Sequence, residues 1–253
     1  MADGQFKIQT LLTGSWRGAA SVLVSDGRHH ILVDSGMPHE AHLLIGALDR
    51  KGLKPEDIHA IFNTHFHVDH VLNNSLFPNS LIYASQQSYD WSCSLYSDLR
   101  DEADWEKLVL KYYPEIHEHP QATGLMRQLR KLALRWWDIQ RLGDPSRFRW
   151  LESTPLPGPL EAVFTSGHVP GHVSILLRDG GPLTIIAGDT LLSREDDARV
   201  LTMIPHNRRQ SILDRARLLA LGGRILPGHG AEFDAASPET QIAATPSQPS
   251  EDL

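Results

Sequence analysis

Cysteine is nearly absent from this chain. The one thiol, Cys93, excludes an internal disulfide, so a reducing, cytoplasmic setting is expected, with the thiol itself a small buried apolar group. No run approaches the roughly 18 uninterrupted apolar residues of a membrane span. The opening residues MADGQFKIQT lack a basic segment leading into an apolar one, and no secretory leader is expected. A basic excess is lacking too: 24 Lys and Arg stand against 31 Asp and Glu, for a net charge of −7. That balance speaks against a phosphate backbone as the main partner, although a local basic face is not excluded by it. What remains is 253 residues with 41% hydrophobic content, enough for one α/β domain with a sizeable core.

Against that background one stretch stands out. Asn63-Thr64-His65-Phe66-His67-Val68-Asp69-His70 places three imidazoles and a carboxylate within six consecutive residues. These are the nitrogen and oxygen donors that zinc and its neighbours accept, and donors this dense are not all able to face one ion. On a loop leaving a strand, residues i and i+2 share a side, so His65 and His67 would meet one cation. Asp69 and His70, past the turn at Val68, would meet a second.

Hydrophobic periodicity places this stretch in a strand-rich chain. Short β-type runs at 7–13, 19–25 and 30–34 are separated by Gly-containing turns, and the third ends at Asp34. Apolar residues at helical spacing over 39–51 predict a covering helix. The run 58–62 leads straight into the histidines, and 81–84 is a further strand. From about 85 to 149 the pattern turns helical. Ser97 is expected to cap an acidic helix that Pro114 stops, and Leu125, Leu129, Leu132, Trp136 and Ile139 mark a second, basic one. This insertion is expected to pack on the body, to cover the site as a lid or to form a dimer contact. Strands resume at 162–165, 173–178 and 184–187. A helix over 208–221, with Ile212, Ala216, Leu219 and Ala220 facing inward, precedes a last strand at 224–226. The domain is expected to end at residue 233, leaving 234–253 as a disordered tail rich in Ala, Ser, Thr, Pro, Glu and Gln.

Three more candidate ligands stand at strand ends, each after a glycine: His168 in TSGH, Asp189 in AGDT and His229 in PGHG. With these in order after Asp34 and the HxHxDH box, the sequence resembles the metallo-β-lactamase superfamily from about residue 7 to 233, the insertion excepted. The resemblance implies an αββα sandwich of two mixed β-sheets flanked by helices, with metals along one edge. It also implies His65, His67 and His168 as the first metal site, Asp69, His70 and His229 as the second, and Asp189 as the bridging carboxylate. Asp34 then supports the ligands, or else caps its own turn. His172 is a second candidate catalytic residue beside Asp69, backing the ligands or facing substrate, with a buried structural role as the alternative.

Two divalent ions sharing a water would present hydroxide at neutral pH, with Asp69 orienting it and receiving its proton. Zinc suits the donors, and iron or manganese would be accepted by the same set. The residue at 189 is Asp rather than the cysteine of well-known zinc β-lactamases. The 24 residues after His229 are not expected to hold the helical substrate domain of glyoxalase II, nor the 40 positions between 189 and 229 the inserted cassette of nuclease members. Leu192 replaces the tyrosine that quorum-quenching lactonases carry three residues past the bridging Asp. The expected function is hydrolysis of a small ester, thioester or lactone in a pocket shaped by the insertion and the Trp16 loop. The alternatives are phosphodiester cleavage of RNA or DNA docked on the basic helix, an iron-dependent sulfur dioxygenase, and a non-catalytic binding scaffold. No membrane partner is expected, and a homodimer is permitted.

Overall fold

Period-two alternation in the strands sorts their side chains between two different interiors. The computed structural model describes residues 5–15, 18–101, 104–118, 122–194 and 205–235. In β2 (Ser21–Ser25), β3 (His30–Val33) and β4 (Ala60–Phe62), the side chains of Val22, Val24, Ile31, Val33, Ala60 and Phe62 join one buried cluster, and Leu23, Leu32 and Ile61 point into another. The same switch occurs in β8 (Val173–Leu177) and β9 (Thr184–Gly188), where Val173, Ile175, Leu177 and Ile186 face the first sheet. Leu176, Ile185 and Ala187 face the opposite side. A strand buried on both faces needs apolar residues at every position, and two such sheets stack only if helices cover the outer faces.

The sheets meet that requirement. The first has six strands in the order β1 (Lys7–Leu12), β2, β3, β4, β5 (Leu81–Ala84) and β6 (Phe148–Trp150). Its first three strands pair antiparallel and its last three join parallel. The second runs β11 (Phe233–Ala235), β10 (Gly223–Pro227), β9, β8 and β7 (Leu160–Phe164). Helix α1 (Ala41–Asp49) and the insertion cover the first sheet, and α6 (Arg208–Ala220) covers the second. This is the expected four-layer αββα sandwich. Pairing directions set where the strands end: β3 and β4 run parallel, as do β9 and β10, and β7 shares their direction through the antiparallel β8. Five C-terminal strand ends therefore collect on one edge.

The insertion lies between β5 and β6 as α3 (Gln86–Asp101), α4 (Trp105–Tyr112) and α5 (Ala122–Trp136), after the short α2 (Val68–Val71) of the histidine segment. Ser97 is not a cap. It falls inside α3, because the apolar phase Leu95, Tyr96, Leu99 carries one helix straight through it, and the new helix starts after Asp104. Two adjacent tryptophans at the end of α5 meet rings of the chain itself: Trp137 stacks on Tyr96 with ring centroids 4.4 Å apart, and the half-buried Trp136 lies 5.8 Å from His39. The strand β11 reaches Ala235, two residues past the expected end of the domain, and residues 236–253 lie outside the described residues. Among the described residues no helix is long and apolar enough to cross a membrane.

The face of α6 also differs from expectation. Ser211, Asp214, Arg215 and Leu218 point inward, while Ile212 and Leu213 are exposed. Buried polar side chains win these positions because Asp214 accepts a hydrogen bond from the Gly167 backbone N–H at 2.9 Å, which ties the helix to the loop carrying His168. An apolar count along the helix does not see that bond. Replacing Leu218 by Ala should lower unfolding free energy by about 2–5 kcal/mol, whereas Leu213→Ala should change it by less than about 0.5 kcal/mol. Urea denaturation of the two variants checks the assignment, and equal losses would reject it.

Candidate metal centre

Every predicted ligand arrives from a strand end. The segment after β4 brings His65, His67, Asp69 and His70; the turn after β7 brings His168; Asp189 follows β9, and His229 follows β10. The donor atoms fall into two groups, His65, His67, His168 and Asp189 in one, and Asp69, His70 and His229 in the other, each within 4.8 Å. Asp189 reaches both. Its Oδ2 lies 3.4 Å from His168 Nε2 and 3.9 Å from His65 Nε2, and its Oδ1 lies 3.3 Å from His70 Nε2 and 3.4 Å from His229 Nε2. Asp69 Oδ2 closes the second group, 3.4 Å from His229 Nε2 and 4.0 Å from His70 Nε2.

The other nitrogens of these rings decide which atoms face inward. His70 Nδ1 gives its proton to Asp34 at 2.7 Å, and His229 Nδ1 gives its proton to the Ser15 carbonyl at 2.8 Å. A carboxylate and a carbonyl only accept, so both Nε2 atoms carry lone pairs toward Asp189. His67 points the other way round: Nε2 meets the Tyr113 hydroxyl at 2.9 Å and Nδ1 faces His168 Nε2 at 3.1 Å. Five buried atoms, Nε2 of His65, His70 and His229 and both oxygens of Asp189, have no hydrogen-bond partner among the described residues. Buried polar atoms are rarely left so, and acceptors converging on one another repel unless positive charge lies between them. The donor set therefore fits two divalent cations, each with nitrogen and oxygen ligands.

Charge distribution agrees. Burial, first of all, pushes His65 and His168 well below the ordinary imidazole range and His67 down to about 4, so these rings are neutral and ready to donate. At His70 and His229 burial acts in the same direction but the carboxylates of Asp189 and Asp69 outweigh it. They raise His229 to about 9 and His70 well above its usual value. Asp189 is drawn well below the carboxylate range because His229 and His70 outweigh the effect of its burial. Without a cation, protons would take its place at the second group, and binding one would release them.

Supporting groups hold the ligands at these positions. Asp34, in the left-handed region at φ 55, accepts from Thr64 N at 2.9 Å, Thr64 Oγ1 at 2.8 Å and His70 Nδ1, which is more than capping its own turn. His172 does not face substrate space. It is fully buried, its Nε2 accepts from the Asp189 backbone N–H at 3.1 Å, and its Nδ1 lies 2.9 Å from Thr165 Oγ1. Burial holds its pKa down to about 3. Trp16 lies outside the described residues. Sequence reasoning missed Tyr113, which has no local signal, since its partner His67 stands 46 positions earlier.

Two glycines shape the backbone around the shared carboxylate, and Gly228 makes room for it. Gly188 has φ 53, and a Cβ on Gly228 would fall 2.1 Å from Asp189 Oδ1. Gly228→Ala is expected to push Asp189 out of register and reduce cation stoichiometry from two per chain to one or fewer. Competition of cobalt(II) against a colorimetric chelator reads the number directly. Unchanged stoichiometry and affinity in the variant would contradict the shared position of Asp189.

Comparison with known proteins follows the same outline. The human metallo-beta-lactamase domain-containing protein 1 is 26% identical over 229 residues, covering 88% of this chain and 68% of that protein. The solved structure of a metallo-beta-lactamase family protein from Thermus thermophilus superposes with a TM-score of 0.61 at 18% identity, covering 93% of this chain and 77% of that one. AidC, a dizinc quorum-quenching lactonase in complex with a product, superposes at 0.58 with 19% identity, covering 89% of this chain and 84% of that one. At such identities the structural likeness is one of fold. The family profile of the metallo-beta-lactamase superfamily spans residues 14–229, from the first hairpin to the last histidine, and the chain belongs to that superfamily.

Proposed function

We propose that this metallo-hydrolase cleaves a small ester, thioester or lactone at a dinuclear zinc centre. The observation that carries the proposal is the split Asp189 carboxylate with Asp69 beside it at the mouth. The Asp189 side chain is fully buried, while that of Asp69 keeps 21% of its surface exposed. A pair of divalent cations, when bound, supplies Lewis acidity that lowers the pKa of water toward about 7 and polarises a carbonyl or phosphoryl oxygen. The protein's own groups do the rest. Asp69, open to solvent and 3.4 Å from His229, takes the proton of the attacking water and passes it to the leaving group. Asp34 orients His70 and Thr64, while His172 and Thr190 hold the turn carrying Asp189. Both nitrogens of His172 are already engaged, so its part is to fix the ligand, not to meet substrate.

Zinc is preferred for its fit to a nitrogen and oxygen donor set in a reaction that needs no redox change, and the similarly folded AidC is a dizinc protein. That lactonase also supports a lactone among the substrates. Iron in place of zinc would instead favour the dioxygenase reading, and metal analysis of native protein separates the two. A cytoplasmic, small-molecule role is consistent with the single cysteine and the negative net charge.

The charge on α5 favours a second reading. Arg127, Lys131 and Arg135 recur every four residues, all exposed, on this helix, which packs against α2, the short helix whose sequence includes Asp69 and His70. Such a row suits a phosphate backbone. If RNA is the substrate, binding should weaken steeply with salt and Lys131→Ala should shallow that dependence by about one unit of log–log slope. Absence of RNA binding at low salt would dispose of this reading.

For the leading proposal, Asp69→Ala is expected to lower kcat by about 10²–10⁴-fold, with Asp189→Ala at least as severe. The measurement is a parallel panel of p-nitrophenyl ester, thioester, lactone and phosphodiester substrates on the zinc-loaded protein. Turnover confined to the phosphodiester would select the second reading, and inactivity on every substrate would favour a binding scaffold.

A further inference from the structure

The helical insertion touches the histidine segment at three consecutive residues. Phe66 N–H donates to Ser88 Oγ at 3.2 Å, His67 Nε2 meets the Tyr113 hydroxyl at 2.9 Å, and Val68 N–H donates to the Tyr96 hydroxyl at 3.3 Å. Ser88 and Tyr96 lie on α3 and Tyr113 closes α4, so both helices take part. All three side chains are buried. An element acting only as a movable cover would not supply buried hydrogen bonds to the ligand-bearing backbone in this way.

We propose that Tyr113 is a positioning residue of the metal centre. Its hydroxyl oxygen accepts the Nε2 proton of His67 and so keeps the Nδ1 lone pair directed at the cation held with His65 and His168. A neutral imidazole carries one proton. With that proton at Nε2 the inward Nδ1 is a ligand; with it at Nδ1 the ligand is lost. Tyr113 is itself fixed from several sides. Its backbone N–H donates to the Val109 carbonyl at 2.7 Å, Pro114 ends the helix behind it, and its ring meets Trp91 edge-on at 5.4 Å. The neighbouring Tyr112 carbonyl accepts from His206 Nδ1 at 2.7 Å, and His206 N–H in turn donates to the His168 carbonyl at 2.8 Å. The insertion thereby grips the two histidine-bearing loops of the first ion site together.

This inference rests on the dinuclear centre proposed above, and one titration distinguishes their failures. Full-length protein is stripped with a chelator and titrated with cobalt(II), following the visible ligand-field band while a competing chelator sets the affinity scale. Wild type is expected to take up two equivalents. Tyr113→Phe, which keeps the ring and removes only the hydroxyl, should bind one equivalent about 10–100-fold more weakly with an altered band, and the other unchanged. Tyr112→Phe, which loses a bond to Asp98 and none to a histidine, should behave as wild type. Wild-type affinity for both equivalents in Tyr113→Phe overturns the positioning role while leaving the centre standing. Fewer than two equivalents in wild type overturns both. Should Tyr113→Phe not fold, nitrogen-15 spectra of zinc-loaded wild type decide: the His67 proton at Nε2 supports the assignment, and at Nδ1 rejects it.

Discussion

A carboxylate with both oxygens buried and turned toward four imidazoles is the constraint on which this molecule is built. Outside water, the Asp189 charge would cost several kcal/mol if nothing answered it. The histidines around it answer by pointing lone pairs inward, which deepens the demand for positive charge. Two cations satisfy oxygens and nitrogens at once. The fit explains why the surrounding polar groups are buried and bonded in two sets: Asp34 and Thr64 bond to His70 and His65, while His172, backed by Thr165 and Thr190, bonds to the Asp189 backbone.

The sandwich makes that arrangement reachable for a chain of this length. Ligands separated by more than a hundred residues converge because β3 and β4 run parallel in one sheet while β7, β9 and β10 run parallel in the other, so their loops open on the same edge. Loop backbone can then be tied across the sheets, as where Val173 N–H donates to the Thr64 carbonyl at 2.9 Å. Rigid strands carry the load, and the loops carry the chemistry.

How much of this could be read from the residues follows from the range of each interaction. The strands were legible because β2, β3, β4, β8 and β9 alternate or run wholly apolar, and the convergence of the seven candidate donors because their types and spacing are rare outside metal sites. Asp34 was legible through its place after a buried strand. Ser97, the inward face of α6 and Tyr113 were not. Ser97 has the chemistry of a cap, yet the core contacts of Leu95, Tyr96 and Leu99 carry the helix past it. Asp214 turns α6 by a bond to Gly167, 47 positions away. Residue type left several roles open to His172, and its contact with the Asp189 backbone N–H, which bears on the choice, had no local signal.

The insertion brings these threads to one point. Strand β4 ends at Phe62 and Asn63 N–H still donates to the Tyr83 carbonyl of β5, so the backbone of 64–68 leaves the sheet just where its side chains must be held most firmly, and its N–H groups need partners from elsewhere. Asp34 serves Thr64, and the next partners are Ser88 and Tyr96, supplied by residues that a plain two-sheet core does not contain. Helices added between β5 and β6 are therefore not peripheral to the chemistry. By bonding to Phe66, His67 and Val68 they make the firmness of the first ion site depend on how well α3 and α4 pack. Core changes around Tyr96 and Trp137 would then reach the metal before they reach the fold, because the centre tolerates smaller displacements than the sandwich does.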